Sequence, residues 1–158
     1  IAMRSLVNCD NFLIYLGFNG INYFDGVSSG VFSKALNEYI KANIVDAYAY
    51  LSCATYWNNK YILCYPKTGG TYPTETVWYD LKTKAYGVYS YAFSCFAKWD
   101  RGNDGLRLFS GSNTVGEVYE ITGTNDNGSA ITCYDSPEPI DLGMPDIWKQ
   151  WYNIYICG

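Results

Sequence analysis

Asn19-Gly20, set between the runs NFLIYLGF and INYFDG, is the feature that most narrows what this chain can fold into. Asn-Gly is the strongest two-residue hairpin signal, because a type I′ turn needs φ > 0 at both central positions. With the turn centred there, Phe18 faces Ile21, Leu16 faces Tyr23 and Ile14 faces Asp25. One face is then large and apolar, and the other carries Tyr15 and Phe24. The same grammar returns along the chain. AYLSCATYW and KYILCYP flank Asn58-Asn59, which sets Trp57 against Lys60, Thr55 against Ile62 and Cys53 against Cys64. ETVWYDLKTKAYGVYSY folds back through a polar DLKTK turn opened by Asp80. LRLFSGSNTVGEVYEI carries a Gly/Ser/Asn loop over residues 111–116. A further turn over Asp126, Asn127 and Gly128 leads into SAITCYD, and WKQWYNIYIC makes a last strand.

Short polar turns impose antiparallel pairing, since parallel strands need crossovers of a dozen or more residues. The expected class is all-β, antiparallel hairpins and meanders, with at most one short helix over residues 33–43. There Ser33 caps, and Leu36, Tyr39 and Ile40 share a face. Strand-ending units recur as YFDG at 23–26, WYDL at 78–81 and VYEI at 118–121, spaced by 55 and then 40 residues. Repeats of about 40–50 residues with several strands each point to propeller-like blades. A β-sandwich is the alternative. The 158 residues read as a single β domain, 1–158. The chain starts at Ile1 without an initiator Met and stops just after a strand-like run. We expect a fragment of a longer multi-blade protein, with a processed mature chain as the alternative. No run of about 20 apolar residues is present to span a membrane, and residues 1–8 are too short for a signal peptide.

The chemistry is narrowed by what is missing. Histidine is absent, which removes Ser-His-Asp and Cys-His nucleophile systems and His-containing zinc sites. The net charge is −4 and the 11 Lys and Arg are scattered, so there is no basic footprint for nucleic acid. The acidic residues fall mostly at turns and strand ends, where Asp bonds local backbone. No pair stands out for the two-carboxylate chemistry of a glycosidase. TNDNGSA (124–130) has adjacent rather than alternating oxygen donors, unlike a calcium loop. No catalytic, cofactor-binding or metal-binding residue is expected, and no enzyme activity. The six cysteines form no CxxC pair. Counting outward from the Asn58-Asn59 turn puts Cys53 and Cys64 at a hydrogen-bonded pair, with Cα atoms about 5.5 Å apart, inside the disulfide range. Free buried thiols and at least one disulfide are both compatible with this pattern.

Seventeen tyrosines, seven phenylalanines and five tryptophans crowd these strands, while only 16% of residues are charged. Alternation puts about half of them on each sheet face. With so few charges to solvate an outer surface, we expect neighbouring subunits to cover part of it. Trp57, Trp78, Trp99 and Trp148 are the candidate interface or sugar-stacking aromatics. Asn19, Gly20, Asn58, Asn59 and Gly128 are the turn-defining residues.

The order LIYLGFNGINYFDG, KALNEYI, NNKYILCYP, VWYDLKTKAYGVY, GEVYEI, NDNGSAI and DIWKQWYNIYI resembles the β-propeller-type repeats of structural virion proteins of tailed bacteriophages, found in head–tail connector and tail-hub subunits. Tyr86 stands where such hairpins usually carry Trp, and no repeats precede Asn8. The chain would then hold about two to three blades, fewer than a closed ring requires. The resemblance implies a structural protein of the virion, assembled in the host cytoplasm into a homo-oligomeric ring with other virion subunits. It implies no catalytic residue, no cofactor, no membrane and no sequence-specific nucleic acid. The alternative from another class is a carbohydrate-binding or adhesin-like β domain using exposed aromatics; a glycoside hydrolase propeller is a third.

Overall fold

A computed structural model describes residues 2–122, 125–126 and 128–130. Contacts divide the chain into two units, Ile1–Thr122 and Gly123–Gly158. The first unit is mostly β and holds three antiparallel sheets, each a meander in chain order. The first sheet is β1 (Val7–Cys9), β2 (Phe12–Gly17), β3 (Gly20–Phe24) and β4 (Ser29–Val31). The second is β5 (Cys53–Trp57), β6 (Lys60–Tyr65), β7 (Glu75–Asp80) and β8 (Tyr86–Tyr89). The third is β9 (Phe93–Asp100), β10 (Leu106–Ser112) and β11 (Val118–Glu120). In the second unit β12 (Asn125–Asp126) and β13 (Ser129–Ala130) pair around a turn that includes Gly128, at φ +86°. Three sheets replace the two of a sandwich, and none closes into a barrel.

The Asn58-Asn59 hairpin follows the expected register residue for residue, from Trp57↔Lys60 to Cys53↔Cys64. Both asparagines take positive φ, +48° and +61°, as a type I′ turn demands. The first hairpin differs. Its two-residue turn is Phe18-Asn19, one position early, and Leu16 pairs with Ile21 and Ile14 with Tyr23. Only Gly20 takes positive φ there, +99°. That is the pattern of a type I turn closed by a glycine bulge. The partner of each residue slides by two positions, so every side chain keeps its face. The expected inner face therefore survives a wrong register.

Helix α1 (Lys34–Asn43) crosses from the first sheet to the second. Ser33 Oγ accepts the Leu36 N–H at 3.4 Å, and Leu36, Asn37 and Ile40 are its buried residues. Besides single 3-10 turns at Met3–Ser5 and Gly102–Asp104, a longer 3-10 stretch over Asp46–Leu51 lies beyond the one helix expected. Its N-cap Val45 makes no side-chain cap, so nothing in the local pattern announces it. The core gathers Ile14, Leu16 and Ile21 of the first sheet, Leu36 and Ile40 of α1, and Tyr61, Leu63, Tyr65 and Val77 of the second. Tyr61, Leu63 and Tyr65 alternate on one face of β6 and are fully buried. Each such aliphatic residue contributes about 1.5–3 kcal/mol by burial. Tyr61 and Tyr65 thus lie on the core face of their strand, inside the chain. The edge strands β1 and β4 are short, and their sequences carry little of the alternation that marks a strand.

Candidate functional site

The strand-ending acids act locally. Asp25 Oδ1 accepts the N–H groups of Ser28 (2.7 Å) and Val27 (2.9 Å). Asp80 Oδ1 does the same for Lys82 (2.8 Å) and Thr83 (3.0 Å). Asp25 follows the third strand of the first sheet, Asp80 ends the third strand of the second, and each turns the chain into the fourth. Backbone donors hold both carboxyls below their ordinary range, Ser28 first for Asp25 and Thr83 first for Asp80. In the third sheet Glu120 takes the equivalent place and reaches Arg101 (3.4 Å) and Arg107 (3.8 Å) instead.

Glu75 is the one buried carboxylate among the described residues. Its Oε1 accepts the hydroxyls of Tyr65 and of Tyr39 (2.9 Å), and Lys67 Nζ lies 2.5 Å from Oε2. Burial opposes its charge, but the bonds from Lys67, Tyr65 and Tyr39 outweigh that and hold its carboxyl low. The cluster ties α1 to β6 and β7. An open depression of about 300 Å³ is lined by Cys9, Asp10, Phe12, Tyr56, Asn59 and Lys82. Its Tyr56 hydroxyl donates to Asp10 Oδ2 at 2.7 Å. That bond, with burial second, pushes Tyr56 up to about 12. No three acidic or cysteine side chains converge on a metal position among the described residues. No helix among them is long and apolar enough to cross a membrane.

The candidate tryptophans separate in space. Trp57 is half-buried at the end of β5, beside its turn. Trp78 lies over Gly87, where a Cβ would stand 2.6 Å from the indole, and the Lys60 ammonium sits 4.7 Å from its ring centroid. Trp78 also begins a run of rings. Tyr89 follows at 6.2 Å, Tyr91 stacks on Tyr89 at 4.9 Å, and Phe93 lies 5.4 Å beyond, next to Phe96 and Tyr119. This run joins the second sheet to the third, so Trp78 works inside the fold. Trp148 lies outside the described residues.

Trp99 is different: it is 65% exposed. The register places it on one face of the third sheet with Cys95 and Ala97 of β9, Arg107 and Phe109 of β10, and Val118 and Glu120 of β11. Val118 is 73% exposed, and the Phe109 ring lies 6.1 Å from the Trp99 ring. Leu108 and Ser110, on the opposite face, are buried. The outward face thus has an apolar centre and an ion-paired edge of Arg101, Arg107 and Glu120. Trp99 is visible in the sequence. Its companions come from pairing: β9 joins β10 through the short Gly102–Asp104 turn, closed by Gly105 at φ +73°, and the register sets their side chains beside it.

No protein-family model and no curated protein matches the chain. The likeness to virion proteins rests on the residue pattern alone.

Proposed function

We propose that the chain is a non-catalytic structural protein that works by assembly, as a head–tail connector or tail component of a tailed-bacteriophage virion. We read its three meanders as successive propeller-like blades. One observation carries this reading: YFDG, WYDL and VYEI each close the third strand of a sheet, so the sequence repeat and the sheet repeat coincide. A second supports it. β5 lies against both β1 and β9, so the first strands of the sheets are neighbours in order, as the inner strands of adjacent blades are. Closed propellers typically have about 4–8 blades. The outward face around Trp99 has the anatomy of an interface, an apolar centre within a charged rim. Its occupant in this reading is a second copy of the chain, offering Leu13, Tyr15, Phe24 and Val31 of the first sheet's outer face. Head-to-tail contacts of that kind form a ring where the rotation between copies closes.

Light scattering and electron microscopy of the full chain test this. Discrete ring-shaped oligomers are expected, and Trp99→Glu should reduce them to monomers. A wild-type chain that stays monomeric at high concentration overturns the reading. The carbohydrate-binding alternative has one observation in its favour, the exposed Trp99 beside Phe109. Their planes meet at 48°, and a flat sugar platform needs them nearly coplanar; a glycan array decides between the two.

A further inference from the structure

Cys53 and Cys64 bring two free thiols to one point in the fold. They are direct partners across β5 and β6. Four positions out from a two-residue turn, such a pair is hydrogen-bonded and its Cα atoms stand about 5.5 Å apart. Disulfides span Cα separations of about 4.4–6.8 Å. Directly opposed residues point to the same face of a sheet, so closing a bond here needs side-chain rotation and little backbone movement. Cys9 and Cys95 have no such partner, since they face Phe12 and Gly111.

Both sulfurs converge on the first residue of β9. Cys53 Sγ donates to the Phe93 carbonyl at 3.3 Å, and the Phe93 N–H donates to Cys64 Sγ at 3.4 Å. Cys64 Sγ also meets Thr76 Oγ1 at 3.0 Å, and the Thr76 hydroxyl reaches the Tyr91 carbonyl at 2.6 Å. The neighbouring Cys64 thiol, then burial, pushes the Cys53 thiol far up. Burial opposes ionisation of Cys64, but donors from Cys53, Thr76 and Phe93 outweigh it and lower that thiol. The pair is therefore asymmetric: of the two thiols, Cys64 is the one that ionises more readily.

We propose that Cys53 and Cys64 form a reversible redox site, a dithiol that exchanges with small-molecule disulfides to become a cross-strand disulfide. The Cys64 thiolate attacks one sulfur of the small disulfide. The S–S bond of that molecule breaks, one small thiolate leaves, and Cys64 carries a mixed disulfide. Cys53 then loses its proton and attacks Cys64 Sγ, and the second small thiolate leaves. The protein gives up two electrons and two protons, and the small disulfide takes both to become two thiols. The new bond removes the S–H that Cys53 donates to Phe93, so oxidation loosens the start of β9 from β5. Both sulfurs are buried beneath the Tyr91–Phe93 segment that bonds them. Exchange waits for that segment to lift and is slow in the folded protein.

The test is to incubate the full chain with oxidised glutathione at about pH 8, where thiolates are populated, then quench with acid and map peptides without reduction. The expected product is a Cys53–Cys64 cross-linked peptide, with no glutathione retained at either position. Labelling of both thiols by iodoacetamide after denaturation should fall from complete to near zero, and return with dithiothreitol. Cys53→Ser should trap glutathione on Cys64, whereas Cys64→Ser should leave Cys53 unmodified. If either variant fails to fold, the wild-type map still decides. Cys53 and Cys64 that stay fully alkylatable, or that cross-link to other cysteines, overturn the proposal.

Discussion

Replacing Asn37 by alanine should detach α1 from the first sheet at a cost of about 2–4 kcal/mol. Asn37 is buried, and its amide grips one residue of β3 at both ends. Oδ1 accepts the Ile21 N–H at 2.6 Å, and Nδ2 donates to the Ile21 carbonyl at 3.1 Å. The side chain thus imitates a neighbouring strand. The two losses are unequal. The Ile21 carbonyl still receives the Phe32 N–H at 3.0 Å, so its share is an ordinary net hydrogen bond, about 0.5–1.5 kcal/mol. The Ile21 N–H is left without that acceptor in a fully buried residue, which costs about 1–3 kcal/mol. Together they remove a large part of the stability of an ordinary domain, about 5–15 kcal/mol. Urea unfolding followed by circular dichroism measures the loss as a lower midpoint at unchanged slope. Hydrogen exchange at the Ile21 amide reads the same contact locally and should accelerate more than the amides of β6. A loss under about 0.5 kcal/mol, or an Ile21 amide still protected as before, would refute the reasoning.

Further outcomes follow from other contacts. Gly87→Ala puts a methyl 2.6 Å from the Trp78 indole, so the ring must lift, at about 1–3 kcal/mol; a red-shifted tryptophan emission reports it, and an unchanged spectrum argues against the stacked pose. Glu75→Ala strands the buried Tyr65 hydroxyl and should cost about 2–4 kcal/mol by urea unfolding, whereas Tyr39→Phe, which removes one partly exposed donor, should cost about 1 kcal/mol. Asp25 and Asp80 have depressed carboxyl values in the folded state. Their contribution is therefore present above the unfolded value of about 3.9 and lost as pH falls through the folded values. Asp25→Asn with Asp80→Asn should flatten the stability–pH curve below about pH 4, and an identical slope in the double variant would count against the turn assignment.

Much of the fold is legible in the sequence where the cause is local. The Asn58-Asn59 hairpin is correct because two adjacent residues that tolerate positive φ decide its register by themselves. The Asp80 turn and the Ser33 cap are right for the same reason, as each is a side chain bonding backbone two or three residues away. The first hairpin is misplaced because Asn19-Gly20 is compatible with two turn types. The choice between them is associated with a residue far along the chain: Asn37 sits on Gly20, where a Cβ would lie 2.8 Å from its amide. β10 and β11 are legible as the LRLFSGSNTVGEVYEI hairpin, but β9 and the face around Trp99 escape, because only the pairing of β9 with β10 sets Trp99 beside Phe109 and Val118.

The sequence by itself determined an antiparallel β protein with short polar turns, a capped helix before the second group of strands, and a pair of cysteines facing each other. Those follow from φ preferences, alternation and hydrogen bonds spanning a few residues. The tertiary structure alone decided that the strands divide into three meanders, that Tyr61 and Tyr65 fill a core, that Trp78 is spent within the chain and that Trp99 faces outward. These are matters of which face meets which. Period-two alternation states that a strand has two faces, and only packing against α1 and the neighbouring sheets selects the one that loses its water.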